Sequence, residues 1–537
     1  MEKVKGNPSR YFVWALFFGV LCVHLLLALI WQRQFFVYFF VNTATFMEAV
    51  SWACWDIVHS HKGFPIFYAF TRVGLGGYWP PLVPMIGLWT LLLLPAPWFF
   101  LPNFFYLAMI MLGIYFSTRI LIGDNFYSML AAVIFSCYWF VTIQLVAFEL
   151  QLAATACIVW SFYWYLRSCF FTRFWSSLLV GLFMVLALYC DRLTPGFFIF
   201  SFFLVPGNFR NKRPWLLMVL VLALVTICVW PFYGAWKDKV FGNSKLISTV
   251  FSYGRKDAAF PLEAFRTVWH NPQFLWAHLS YYFISVPERL LGYGFTALLL
   301  SGMFFVHRLR KPYPQVLWTA LGIPLALFIA IIKKDQVYIF PLCIYFAMIT
   351  SIGIYFIRSR FIRWVLIILM ITLSVMQSIL FNSYRVEKPY NSLFSHQFTR
   401  LEAQGIPRLF LQNYPWPQDK TTEQVNSIVD QVGPVMKKRA SLGERKQAMI
   451  VDLASHCVRY SAVFSLRKNL YNVKIINAEI TEENFDHCNE DFLYLLSDKE
   501  PYAAESSLGS SGGCSWKSLE AVFRFPNSAI TLYRVRR

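Results

Sequence analysis

Acidic residues are scarce over most of this chain. Of 28 Asp and Glu in 537 residues, only 11 fall within residues 1–384, against 28 Lys and Arg, so that stretch carries +17 of the total +20. Charged residues make up 14% of the chain, where a soluble globular protein has about 25%. The shortage excludes an ordinary water-facing surface for residues 1–384. Residues 385–537 hold the other 20 basic and 17 acidic side chains, an ordinary soluble balance of +3. The positive total therefore does not point to nucleic acid. It belongs to loops beside a membrane, where Lys and Arg fix orientation and meet anionic lipid.

Other signals are missing too. The tail has no phosphate loop and no dinucleotide fingerprint, and no internal repeat is apparent. Most of the 11 cysteines lie in apolar runs, where Cys behaves as a small hydrophobe. Cys457, Cys488 and Cys514 allow at most one internal disulfide and have no zinc-site spacing. No cleavable signal is evident: Tyr11–Trp31 is too long and lacks a small-residue cleavage site, so it reads as a first spanning helix.

What is present is a succession of apolar runs. They lie at 11–31, 81–95, 100–118, 126–145, 148–166, 175–190, 194–206, 214–235, 289–307, 314–332, 337–357 and 364–382. Each is close to the ~20 residues of a spanning helix, and about eleven to thirteen such helices are expected. The expected fold is a polytopic α-helical membrane domain over 1–384 and a small α/β domain over 385–537. In the tail, Arg408–Asn413, Ala448–Leu453, Val473–Asn477, Asp491–Leu496, Val522–Phe525 and Ile530–Val535 read as strands, with a helix at Thr422–Lys437.

The short loops set orientation. Arg167 and Arg173, then Arg210, Lys212 and Arg213, then Arg308, Arg310 and Lys311, then Arg358, Arg360 and Arg363 mark inside loops. The N-terminus is then cytoplasmic. Loops 32–80 and 236–287, Asp191–Arg192, Lys333–Asp335 and the tail are outside. One conflict remains. Two apolar runs separate outside residue 80 from Arg119, which reads as inside, whereas an odd number of spans is required. Either one run is a partial helix or Arg119 breaks the rule.

An ionisable residue at membrane depth is costly and is a functional candidate by default. Glu48 and Asp56 are the only acids of the first outside loop, on an amphipathic stretch Phe46–Lys62. They are candidates for catalysis, and equally residues on the solvated face of an interfacial helix. Arg192, beside Asp191, can neutralise that acid or hold a lipid phosphate. Arg266 and His270 stand one helical turn apart in an aromatic-rich loop, where a structural role is also open. Lys333 and Lys334 precede Tyr338 and Pro341 at a helix start. They can snorkel, yet two lysines on an outside face run against the usual placement of positive charge, and an anion suits them better. Glu149, in an apolar stretch, needs a partner or a wet cavity.

In this order the features resemble the polytopic GT-C glycosyltransferases that use polyprenyl-phosphate sugars. Among these are the protein O-mannosyltransferases and the lipid A aminoarabinose transferases. In that family's pattern an acid near the start of the first outside loop is followed by an aromatic and a Gly. Glu48, Trp52 and Gly63 match this spacing, although Met47–Glu48–Ala49 stands where the family favours Asp-Glu. Pro80–Leu82 matches the opening of its second helix, Glu149 its later acid, and Arg192 loosely its basic residue. His270, Pro272 and Phe274 match one motif, and Lys334, Tyr338 and Pro341 another.

The resemblance implies a glycosyltransferase of a bacterial inner membrane. It would move a sugar from a polyprenyl-phosphate carrier to an extracytoplasmic acceptor, with inversion. Glu48 would be the general base, and Lys333, Lys334, Arg192 and Arg266 would neutralise the departing phosphate. No cofactor is implied and no metal is demanded. The alternatives are a lipid-linked saccharide transporter, or a family member without activity that serves as a scaffold.

Overall fold

The computed structural model describes residues 10–34, 82–93, 100–146, 150–191, 194–205, 212–240, 279–283, 285–330 and 336–382. In the tail it describes 427–436, 438, 447–453, 462, 466, 473–477, 492–497, 518–524 and 530–536. The described helices up to residue 382 and the C-terminal sheet belong mainly to separate compact units. The expected boundary at 384 lies outside the described residues, as does the expected strand at 408–413.

Up to residue 382, the helices follow the apolar runs: α1 (Arg10–Gln34), α2 (Leu82–Leu93), α3 (Leu101–Ile122), α4 (Asn125–Ser136), α5 (Trp139–Val146), α6 (Leu150–Arg167), α7 (Phe174–Cys190), α8 (Thr194–Phe203) and α9 (Lys212–Val240). Then come α10 (Tyr293–Met303), α11 (Tyr313–Ala330), α12 (Gln336–Ile339), α13 (Leu342–Phe356) and α14 (Arg360–Asn382). Two described helices are long and apolar enough to cross a membrane, at Tyr11–Leu29 and Leu101–Ile122. Five shorter ones are apolar throughout.

Some runs are divided. The run at 126–145 breaks at Cys137 and Tyr138 into α4 and α5. The run at 289–307 begins with a π-turn, Val286–Leu291, that ends at Gly292 with φ 86°. The run at 337–357 breaks at Phe340–Pro341, and Pro341 caps α13, a place where its missing N–H costs nothing. Helix α2 has 12 residues, a rise of about 18 Å against a hydrocarbon core of about 30 Å.

The first unit's helices run between two ends. Gly123, at φ 74°, closes α3 through its N–H to the Arg119 carbonyl. Asp124 then caps α4, its Oδ1 accepting from the Tyr127 N–H at 3.0 Å. This tight reversal joins two packed helices. At the same end, Ser351 Oγ donates to the Tyr127 carbonyl at 2.6 Å. Arg308 Nη1 donates to the Phe356 carbonyl at 3.4 Å. The rings of Phe170 and Tyr313 meet at 6.3 Å, and those of Tyr165 and Phe202 stack at 5.5 Å. The Arg-rich loops thus share one end, here called the basic end.

Helices α10 and α13 cross at glycines. A Cβ on Gly302 would lie 2.6 Å from the Ile349 carbonyl oxygen, and one on Gly353 would run into the backbone of Gly302. Backbone cannot retreat as a flexible side chain can. Leucine at either position is expected to cost on the order of 1–3 kcal/mol through overpacking. Gly322, with open space around it, is the control: alanine there holds or raises stability. Thermal unfolding of Gly302→Leu and Gly322→Ala in detergent checks this, and equal midpoints would contradict it.

The second unit is a five-stranded sheet of order β2-β1-β3-β5-β4. Its strands are β1 (Gln447–Asp452), β2 (Val473–Asn477), β3 (Phe492–Ser497), β4 (Ser518–Arg524) and β5 (Thr531–Arg536). Strands β2, β1 and β3 are parallel, and β5 and β4 add antiparallel. Glu520 and Arg534 face each other across the β4–β5 pair, an opposite-charge pairing that favours the register. Ile428, Val432 and Met436, at helical spacing, are buried, as are Met449, Val451, Leu495 and Leu532 of the sheet.

Candidate functional site

The end opposite the Arg-rich loops is built differently. Helix α7 stops at Cys190, and Asp191 follows in extended conformation, its N–H on the Ala187 carbonyl at 3.0 Å. Asp191 is buried. Three residues later α8 begins, and its Phe197 ring lies 4.8 Å from Phe328 near the end of α11. Phe328 stacks in turn on Tyr338 at 6.2 Å with 8° between the planes. An aromatic column thus joins the chain just after Asp191–Arg192 to the chain just after Lys333–Asp335. Residues of α8, α11 and α12, far apart in sequence, are thus held side by side.

A second set of rings brings a third segment there. Phe340, which follows α12, is fully buried and meets Phe135 at 6.0 Å and Phe140 at 5.4 Å. Tyr138 meets Phe295 edge-on at 5.4 Å. Asn103, at the start of α3, donates through Nδ2 to the carbonyls of Gln144 and Leu145 at 3.2 and 3.1 Å. Those carbonyls belong to the last described turn of α5, and Asn103 supplies them with a side-chain donor from another helix. The chain at Gln144 and Leu145 is therefore anchored at this end as well.

This end also holds polar groups in apolar packing. Gln144 is fully buried, and neither its amide nitrogen nor its oxygen has a partner among the described residues. The same holds of the Tyr106, Tyr138 and Tyr345 hydroxyls and of Gln151 Oε1. Leaving one such group unsatisfied costs about 1–3 kcal/mol. Several together fit a place where water or a polar headgroup enters.

Of the residues singled out from sequence, Tyr338 is described, and it sits in the aromatic column. Glu48, Asp56, Glu149, Arg192, Arg266, His270, Lys333 and Lys334 lie outside the described residues. Asn103, Gln144 and Gln151 escaped the sequence reading, which weighed only charges. The signal was there: an Asn or Gln within an apolar run is costly for the same reason an acid is. No group of His, Cys, Asp and Glu among the described residues could hold a metal.

Asn103→Ala would strip two carbonyls of their donor. We expect a lower unfolding temperature, with a cost of about 1–3 kcal/mol, while Asn103→Gln restores part of it. A thermal scan in detergent measures both, and an unchanged midpoint for the alanine variant would remove Asn103 as the anchor.

No protein-family model matches the sequence, and no curated protein does. The fold has clear counterparts. ArnT from Cupriavidus metallidurans bound to undecaprenyl phosphate is 11% identical, with 98% of each chain covered and a TM-score of 0.56. Its apo state is 9% identical over 98% of each chain, with a TM-score of 0.54. Over nearly its whole length, the chain thus has the fold of ArnT, a lipid A aminoarabinose transferase and GT-C enzyme.

Proposed function

We propose that this protein is a multi-pass glycosyltransferase of a bacterial inner membrane, transferring a sugar from a polyprenyl-phosphate carrier to an extracytoplasmic acceptor. One observation carries the reading: the whole-length likeness to a protein solved with undecaprenyl phosphate. The aromatic column Phe197–Phe328–Tyr338 and the Asn103 anchor at one end of the helical unit support it. The basic end then faces the cytoplasm and the site end faces outward.

The lipid tail holds the donor beside the helices, with its phosphate at the outer surface. Glu48 takes the proton from the acceptor hydroxyl as that oxygen attacks the anomeric carbon. The bond from that carbon to the phosphate oxygen breaks. The electron pair leaves with the polyprenyl phosphate, whose charge Lys333, Lys334 and Arg192 neutralise. Cations aimed at developing charge are commonly a large catalytic term. One displacement from the opposite face inverts the centre. Tyr338 presents an aromatic face and a hydroxyl beside the leaving group. Arg266 and His270 serve the donor headgroup, Glu149 orients the acceptor, and Asp56 supports the base.

Glu48→Gln tests the base. Removing a general base lowers rates by about 10²–10⁴-fold, so transfer from a polyprenyl-phosphate sugar should fall by that much while undecaprenyl phosphate still binds. Unchanged transfer would exclude Glu48. Lys333→Gln with Lys334→Gln should instead weaken undecaprenyl phosphate binding, and equal binding would exclude the two lysines. Lipid-linked sugars accumulating in a deletion strain would identify the donor.

A further inference from the structure

Among residues whose side chains are described, the basic end carries ten cations on its loops and helix termini, and one acid, Asp124. Asp124 is used as a helix cap. None of the ten cations forms an ion pair with a described residue. The charge is also placed against the helices themselves. A helix N-terminus is the positive end of its dipole and favours acids, yet α14 has no acid in its first turn. It begins instead with Arg360 and Arg363, just after Arg358.

One corner of this face is built rather than merely charged. Arg363 lies over the Tyr127 ring at 5.9 Å, and its Nη1 donates to the Tyr127 hydroxyl at 2.9 Å. Its Nε is buried and has no partner among the described residues. Tyr355 braces the Tyr127 ring edge-on at 5.3 Å. Arg358 and Arg360 are exposed beside it. The surface next to them is apolar: Phe361 is 76% exposed and Trp364 57%. A fixed guanidinium, two free ones and a lipid-facing aromatic rim fit a phosphodiester that carries acyl chains.

We propose that the corner formed by Tyr127, Arg358, Arg360 and Arg363 binds the headgroup of an anionic phospholipid, such as phosphatidylglycerol or cardiolipin. The ligand is committed to be a lipid because the exposed apolar rim adjoins the cations, and free phosphate has no use for it. The inference rests on the membrane placement proposed above, but not on glycosyl transfer. Its site lies at the end opposite the donor site. The bound phosphate would also supply the negative charge that the start of α14 lacks.

The test uses the full chain. Carbonate washing of membranes first shows whether the protein is integral, which tests the membrane reading alone. The purified protein is then bound to vesicles or nanodiscs of pure phosphatidylcholine, or of phosphatidylcholine with phosphatidylglycerol or cardiolipin, and lipid retention is measured. Each cation near an anionic surface is worth roughly fivefold in binding. The double variant Arg358→Gln, Arg360→Gln, in which no packed side chain changes, should therefore retain anionic lipid about 25-fold less. It should still bind undecaprenyl phosphate. Tyr127→Phe, which frees Arg363, should lower retention further.

Equal retention of neutral and anionic lipid would overturn the proposal. So would an unchanged double variant, or inorganic phosphate alone reproducing the lipid's thermal stabilisation. Loss of undecaprenyl phosphate binding in the double variant would show that a single lipid site had been misplaced. Anionic lipid retained by a protein that never binds undecaprenyl phosphate would keep this site and refute the proposed function.

Discussion

A charge or hydrogen-bonding group in apolar packing must find a partner, and this constraint orders the helical unit. With so few acids in the first 384 residues, the cations cannot be paired along the helices and are carried to the loops. The loops alternate between two ends, so alternate loops gather the same kind of charge. The Gly123–Asp124 reversal, the Arg308 bond to the Phe356 carbonyl and the hold of Tyr127 on Arg363 place the unpaired cations together. Close packing at Gly302 and Gly353 then sets how α10 and α13 cross between the two ends.

The opposite end meets the same constraint in another way. Its anchors are rings and amides. The column Phe197–Phe328–Tyr338 and the two bonds from Asn103 hold three chain segments in register. The buried Gln144 and tyrosine hydroxyls keep hydrogen-bonding capacity unused among the described residues. A rigid aromatic frame around spare polar capacity is what a headgroup-binding site requires. In the functions proposed here, the two ends divide the labour: one would fix the chain against charged lipid, and the other would receive a substrate.

Much of this was legible in sequence because hydrophobic length and loop charge report directly on helix placement. The runs at 175–190 and 364–382 reappear as α7 and α14, and the strands at 448–453, 473–477, 491–496 and 530–535 reappear within a residue or so. Less legible were the breaks. Cys137–Tyr138 and Phe340–Pro341 interrupt apolar runs with little change in hydropathy, so a window average passes over them. In the candidate site, Tyr338 was visible as part of a Lys-to-Pro motif. Asn103 and Gln144 were not, because their importance comes from helix ends meeting across some forty residues of chain, which no local pattern encodes. The charges proposed for chemistry, from Glu48 to Lys334, were found by their rarity and by the order of the motifs around them.

The central claim is that a polyprenyl phosphate docks at the end holding Asp191 and Tyr338, not at the basic end. Photo-crosslinking with a polyprenyl phosphate analogue, followed by peptide mapping, tests it most directly. The account predicts labelled peptides covering residues 194–205 and 336–345. Labelling confined to residues 304–313 and 356–364 would contradict it.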